Sequence, residues 1–86
     1  MLIPLRWEIV RMNDSTVKIK GECNHEAALP NLVAGAIKMS CDAYYFDGKP
    51  CQREPQVSNS KYTLSFTIWF KKDENADDYI EHFRRD

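Results

Sequence analysis

Residues 61–71 alternate between apolar and polar side chains, with Trp69 as the exception, which predicts one long, half-buried β-strand. The apolar face would hold Tyr62, Leu64, Phe66, Ile68 and Phe70. The opposite face would hold Thr63, Ser65, Thr67 and Trp69. Burying an apolar side chain contributes about 1.5 to 3 kcal/mol, whereas ordering the backbone costs about 1 to 2 kcal/mol per residue. The strand therefore requires neighbouring strands that share this cost and a second layer that covers its apolar face.

The N-terminal part of the chain predicts a β-hairpin, because apolar and charged residues alternate on both sides of Asn13-Asp14-Ser15. A two-residue turn would place charged and apolar side chains on the same face of both strands. A three-residue loop over Asn13 to Ser15 avoids that conflict. It sets Ile9 opposite Ile19 and Trp7 opposite Gly21, where the large ring can cover a residue without a side chain.

Two helices are predicted to form the covering layer. The central helix runs from about Pro30 to Asp42, since proline suits a first helical turn. Its apolar face comprises Leu29, Leu32, Val33, Ala36, Ile37, Ser40, Cys41 and Tyr44. A separate turn or a kink is expected over Asn24, His25 and Glu26, because Pro30 would lie too deep in a helix that began there. The C-terminal helix has Asn75 as its cap, and its apolar stripe comprises Ala76, Tyr79, Ile80 and Phe83.

Between the helices, Tyr44, Tyr45 and Phe46 predict a short strand that ends at an Asp47-Gly48 turn. Residues 49–60 predict an irregular excursion, either a recognition loop or a spacer, because Pro50 and Pro55 lack ladder donors. The predicted element order is β-β-α-(β)-β-α. This is an α+β fold in a single domain over residues 1–86, with a mainly antiparallel sheet of three to four strands and two helices on one face.

Composition and charge indicate the compartment and the kinds of partner to expect. Three cysteines, an odd number, favour a reducing compartment over a disulfide framework, although a bridge between Cys41 and Cys51 stays open. No apolar run resembles a secretory signal or a membrane span, so a cytoplasmic location without membrane contact is expected. The net charge of −1 gives no general attraction to nucleic acid or anionic lipid. Residues 73–86 contain six acidic residues and two arginines, so their formal net charge is −4, and the formal net charge of residues 1–72 is +3.

The sequence carries no pattern that is typical of an enzyme or of a cofactor site. Cys23, His25, Cys41 and Cys51 are ligand types that zinc accepts, but no pair has the spacing of a zinc knuckle. A cysteine activated by His25 or His82 is chemically conceivable, yet nothing in the sequence places such a pair together. The prediction is therefore a non-enzymatic protein without a metal or cofactor, with zinc binding and cysteine catalysis as weaker alternatives.

We expect a small protein-interaction module, an accessory protein, inhibitor or modulator of the kind that a phage or prophage carries. Its partner would be another protein, or a second copy in a homodimer. The predicted contact residues are Trp69, Thr67 and Thr63 on the open sheet face, or Ala34 and Gly35 on the sparsely charged outer side of the central helix.

The competing interpretation is a domain that binds single-stranded nucleic acid. An aromatic side chain flanked by cations on a sheet face suits stacked bases and phosphates. The residues that would form this face are Arg6, Lys18, Lys20, Lys61, Lys71 and Trp69. No RNA-recognition signature accompanies them, and acidic residues dilute the patch.

Overall fold

An antiparallel sheet with helices on one face forms the protein, as a computed structural model of residues 5–51, 55–58 and 61–85 describes it. Within these residues the strands are β1 (Arg6–Asn13), β2 (Thr16–Cys23), β3 (Gly48–Cys51), β4 (Gln56–Ser58) and β5 (Lys61–Phe70). The helices are α1 (Leu29–Tyr44) and α2 (Asp73–Arg85), and a 3₁₀ turn at Glu26–Ala28 precedes α1. The predicted α+β fold, with an antiparallel sheet and two helices, is confirmed.

The long strand β5 lies at the centre of the sheet, whose order is β1-β2-β5-β3. β2 pairs with β5 along most of its length, from Thr16 opposite Trp69 to Cys23 opposite Tyr62. The other side of β5 is shared by two short strands. β3 pairs with its C-terminal half, and β4 pairs with residues 61–63. The predicted strand thus receives partners on both sides, which its ordering cost requires.

The hairpin has the predicted register but closes differently. Ile9 lies opposite Ile19 and Trp7 lies opposite Gly21, as the charge pattern predicts. The predicted three-residue loop is wrong in detail, because Asn13 pairs with Thr16 and only two residues lie between the strands. The β1–β2 ladder is irregular between residues 11 and 13, and the additional residue on β1 takes the place of the third loop residue. The predicted register is therefore kept although the turn is shorter.

The core lies between the sheet and the helices. Its buried sheet residues are Val17, Ile19, Cys23, Leu64, Phe66, Ile68 and Phe70. Its buried helix residues are Leu32, Ala36, Ala43, Ala76 and Tyr79. Tyr62, at the start of the apolar face of β5, is half-buried. The alternation of β5 is therefore confirmed over four of its five apolar positions.

Tyr79 joins the two helices within this core. Its hydroxyl donates a hydrogen bond to the backbone carbonyl of Met39, at 2.9 Å. Burial raises the pKa of the Tyr79 phenol far above its ordinary value, and the negative charge of Asp42 raises it further. The phenol therefore stays protonated and keeps donating at any pH near neutral.

Trp7 packs the edge strand β1 against α1. A Cβ atom at Gly21 would lie 2.5 Å from Cζ3 of the indole, and one at Gly35 would lie 2.6 Å from Cζ2. Real Cβ atoms do not approach other atoms so closely, so the ring occupies space that only glycine leaves open on β2 and on α1. This contact helps to position α1 across the sheet, together with the packing of α1 on β2, β3 and β5.

The region between α1 and β5 corrects two predictions. The short strand over Tyr44–Phe46 is wrong, because α1 continues to Tyr44 and the next N–H groups still bond to helix carbonyls, Tyr45 to Asp42 and Phe46 to Ala43. Asp47, with a φ of 57°, then turns the chain. The irregular excursion over residues 49–60 is wrong where β3 and β4 form, while residues 52–54, 59 and 60 lie outside the described residues.

The helix starts differ from prediction in one case and agree in the other. α2 begins at Asp73, so Asn75 lies inside its first turn and does not cap it. The Ser15 hydroxyl of the hairpin donates to the Asp73 carboxylate there. The separate turn before α1 is confirmed, since His25 Nδ1 accepts a hydrogen bond from the Ala27 N–H at 3.1 Å in the 3₁₀ turn.

Candidate interaction surfaces

The orientation of α1 divides its predicted apolar face into a buried half and an exposed half. Leu32, Ala36, Ser40 and Ala43 are buried against the sheet and α2. Val33, Ile37 and Tyr44 are 38%, 51% and 63% exposed. The expectation that all these positions share one buried face is therefore wrong. Small residues on the buried side allow the helix to approach the sheet closely, and in this orientation the Trp7 ring packs against Gly35.

The exposed half forms a continuous ridge, which we call the outer stripe and define as Pro30, Val33, Ile37, Cys41 and Tyr44. Successive members are three or four residues apart, so they lie on one side of the helix. None of them carries a formal charge, and Pro30 and Cys41 are exposed as well. A solvated helix surface normally carries charged or polar side chains at such positions.

An apolar groove extends the outer stripe at the N-terminal end of α1. Its helix wall is formed by Leu29, Pro30 and Val33. Its other lining residues are Pro55, Val57 and Tyr62, from the segment around β4 and from β5. Val57 is 64% exposed, so the groove is open to solvent. Apolar surface thus continues from the middle of α1 to the β4 edge of the sheet.

The structure separates the two helix residues that the sequence predicts as contacts. Ala34 is exposed and lies beside the outer stripe. Gly35 is half-buried against the Trp7 ring of the same chain. The close approach expected at Gly35 therefore exists, but an aromatic side chain of β1 makes it.

The sheet residues predicted as contacts share the face that the helices leave uncovered. Trp69 is 49% exposed, whereas Thr63 and Thr67 are half-buried. The register places Lys18 opposite Thr67 and Lys49 opposite Trp69 on this face. We call it the open sheet face.

Among the residues that the structure describes, five cations and two carboxylates occupy the open sheet face, a net charge of +3. By register the cations are Arg6, Lys18, Lys20, Lys49 and Lys61. The carboxylates are Glu8 and Glu22. Glu22 Oε2 lies 3.6 Å from the Lys61 ammonium, so part of the positive charge is neutralised within the face. Lys71 is exposed just beyond the end of β5.

The acidic residues gather instead on the helix layer. Asp73 and Glu74 lie in the first turn of α2, where the helix dipole favours negative charge. Arg11 of the hairpin forms a salt bridge with Asp77. Part of the acidic excess therefore stabilises the helix start and its contact with the hairpin.

A second groove, between α1, α2 and Trp7, contains a histidine and a carboxylate that the sequence does not place together. His82 Nε2 lies 3.4 Å from Asp42 Oδ2. Among the described residues that line this groove there is no serine, threonine or cysteine that the pair could activate as a nucleophile. The nearby Tyr79 hydroxyl is held protonated and is bonded to a backbone carbonyl.

The cysteines and potential metal ligands are dispersed. Cys23 is buried, and its thiol lies 3.7 Å from the His25 carbonyl oxygen. Cys41 and Cys51 are exposed, and all three are free thiols. Among the residues that the structure describes, no three histidine, cysteine or acidic side chains form a group that could hold a metal ion. No helix in the same residues is long and apolar enough to cross a membrane.

Comparison with protein-family models, with curated proteins and with solved structures gave no match to this chain.

Proposed function

We propose that this chain is a small, non-enzymatic interaction module that binds another protein through the outer stripe of α1. The observation that carries the proposal is the exposure of Val33, Ile37 and Tyr44, three large apolar side chains on one side of a helix whose opposite side is buried. Contiguous exposed apolar surface marks interaction sites in soluble proteins. Covering it removes about 25 cal/mol of unfavourable hydration per Å².

The shape of this surface indicates what a partner must offer. The outer stripe is a narrow ridge, and the groove at its N-terminal end is bordered by Pro30 and Val57. A partner with its own apolar helix face could follow the ridge and place a side chain in the groove. The protein would then act as an accessory factor, inhibitor or modulator of that partner. A cytoplasmic location belongs to this proposal, since exposed thiols at Cys41 and Cys51 suit a reducing compartment.

The test is an affinity pull-down from the native host with three forms of the chain: wild type, Ile37→Glu and Trp69→Ala. The two changed residues are similarly exposed, at 51% and 49%, and lie on opposite layers. We expect a defined partner that Ile37→Glu loses and Trp69→Ala keeps. Identical recovery by the wild type and Ile37→Glu would exclude the outer stripe as the contact surface.

A second candidate function, binding of single-stranded nucleic acid, is favoured by one observation. On the open sheet face the strand register places Lys49 opposite Trp69 and Lys18 diagonally across from it, with Lys20 further along β2. Phosphates would contact the cations and a base would stack on the indole, which contributes on the order of 1 to 3 kcal/mol per base. The salt bridge between Lys61 and Glu22 works against this function, because it reduces the positive charge that attracts phosphates.

This candidate predicts binding to an unstructured oligonucleotide that weakens steeply with added salt, because counterions are released from the phosphates. Trp69→Ala and Lys18→Ala should both reduce the affinity, whereas Ile37→Glu should leave it unchanged. Fluorescence anisotropy of a labelled oligonucleotide at low salt measures all four chains. An anisotropy that stays flat at low salt would remove this function from consideration.

A further inference from the structure

We infer that the outer stripe pairs with a second copy of itself, and that two α1 helices cross antiparallel on a two-fold axis at Ile37. This inference rests on the proposed function, since it names the partner of the same surface. A homodimeric interface on a two-fold axis requires a patch that is complementary to itself. The outer stripe meets that requirement in its spacing, its relief and its charge.

The spacing is symmetric about Ile37. Pro30 precedes it by seven residues and Tyr44 follows it by seven, so each lies about 10.5 Å from Ile37 along the helix axis. Seven residues are nearly two turns, so all three lie on nearly the same side of α1. A two-fold axis through Ile37 therefore places Tyr44 of each copy over Pro30 of the other.

The relief of the surface is complementary at those two places. Tyr44 is 63% exposed and projects at the C-terminal end of α1. Pro30 borders the apolar groove at the N-terminal end, together with Leu29 and Val33. The two-fold rotation that brings the two Ile37 side chains together thus brings the protruding Tyr44 ring of each copy to the edge of the groove on the other copy. Val33 then faces Cys41 of the other copy, and Ala34 leaves room for close approach.

The charge of the surface permits self-association. A two-fold axis brings identical groups near one another, so a charged stripe would oppose dimerisation. The outer stripe contains no aspartate, glutamate, lysine, arginine or histidine. The open sheet face, with its net positive charge, would repel a second copy of itself. The outer stripe is accordingly the favourable surface for pairing.

The expected association is weak. A contact made mainly by one helix and a groove is small beside the roughly 1,200 to 2,000 Å² that stable interfaces bury. We expect a dissociation constant on the order of micromolar to millimolar. The experiment therefore needs a measurement of mass at high concentration and a way to trap the pair.

Sedimentation equilibrium of the wild type, Ile37→Glu and Val10→Glu measures the association. Val10 is a matched control, because it is 48% exposed on the open sheet face while Ile37 is 51% exposed. We expect the wild type and Val10→Glu to approach the dimer mass with rising concentration, and Ile37→Glu to remain monomeric. Two carboxylates would meet on the axis in the Ile37→Glu pair.

Cysteine trapping then tests the symmetry. With helix axes about 8 to 10 Å apart and Cα atoms about 2.3 Å from each axis, the two Ile37 Cα atoms would be about 3.4 to 5.4 Å apart, a range that overlaps the Cα spacing of disulfides. Two Val33 Cα atoms would be about 12 Å apart along the axis, beyond that reach. In a chain with Cys41→Ser and Cys51→Ser, Ile37→Cys should form a covalent dimer on mild oxidation and Val33→Cys should not.

The outcomes separate this inference from the proposed function. A wild type that stays monomeric at about 1 mM, or equal trapping by Ile37→Cys and Val33→Cys, would overturn the antiparallel dimer. If the chain is monomeric but the pull-down still recovers a partner that Ile37→Glu loses, the outer stripe binds a different protein. If Ile37→Glu changes neither measurement, both the dimer and the proposed function are wrong.

Discussion

Gly35 is the position where one added methyl group tests the packing of α1 most directly. Two opposing terms decide the effect of Gly35→Ala on the free energy of unfolding. Alanine is favoured over glycine inside a helix by about 0.8 to 1 kcal/mol. The new Cβ atom, however, would lie 2.6 Å from Cζ2 of Trp7, well inside the roughly 3.5 to 4 Å of an ordinary contact.

The clash should outweigh the helix propensity, because the Trp7 ring cannot move directly away from Gly35 without approaching Gly21. The other edge of the indole lies against Gly21, where an added Cβ would be only 2.5 Å from the ring. Overpacking of this kind costs about 1 to 3 kcal/mol. We therefore expect Gly35→Ala to destabilise the protein by about 0 to 2 kcal/mol after the propensity gain is subtracted.

A double-mutant cycle with Trp7→Leu measures the clash separately. The smaller side chain leaves room for the new methyl group, so Gly35→Ala should then stabilise the protein by about 1 kcal/mol. Urea unfolding followed by far-UV circular dichroism gives the free energy of unfolding of all four chains. Stabilisation by Gly35→Ala in both backgrounds would refute the packing of Trp7 against α1.

Two further predictions concern buried polar groups. Because burial raises the pKa of Tyr79, the folded state holds this proton more tightly than the unfolded state, and stability should fall as the pH rises above about 10. In urea titrations at several pH values, Tyr79→Phe should not show this alkaline fall, and at pH 7 it should lower the free energy of unfolding by about 0.5 to 1.5 kcal/mol through its missing hydrogen bond. The control Tyr45→Phe, at a site that is 87% exposed, should behave as the wild type. An alkaline fall in Tyr79→Phe as large as that of the wild type would contradict the assignment. The second prediction concerns the thiols: a colorimetric thiol reagent should label Cys41 and Cys51 at once, and Cys23 only when the protein unfolds. Immediate labelling of all three thiols would contradict the buried position of Cys23.

The sheet centre and the hairpin register could be predicted because both rest on period-two alternation. In β5 the alternation extends over ten residues, and only an extended strand, not a helix, places its alternating apolar side chains on one face. In the hairpin, the conflict between charged and apolar residues selects one register. The sequence does not determine the geometry of the turn, because a two-residue turn with a bulge near residue 12 and a three-residue loop without a bulge give the same strand pairing.

The orientation of α1 could not be predicted, because its apolar residues extend over more than half of its circumference. Hydrophobicity alone favours burying Ile37 before Ala36, yet Ala36 is buried and Ile37 is exposed. One of the contacts that position the helix joins Gly35 to Trp7, which is 28 positions earlier in the sequence. Tertiary packing of this kind leaves no periodic signal in the helix itself.

The short strands β3 and β4 were missed for a related reason. They contain only four and three residues, and Pro50 interrupts the first. Such segments form strands because the free side of β5 offers hydrogen-bonding partners, and proline is tolerated at a sheet edge. Lys49 joins the open sheet face through this pairing, so its position beside Trp69 could not be predicted from local sequence.

Amide chemical shifts of the folded chain, recorded by NMR during dilution from about 1 mM to about 10 µM, test the central claim most directly. Because dilution separates copies, the shifts that change identify the contact surface. We predict changes at Val33, Ile37 and Tyr44, with the sheet around Trp69 unaffected. Changes confined to the open sheet face, with α1 constant, would contradict the assignment of the outer stripe as the surface through which this protein binds its partner.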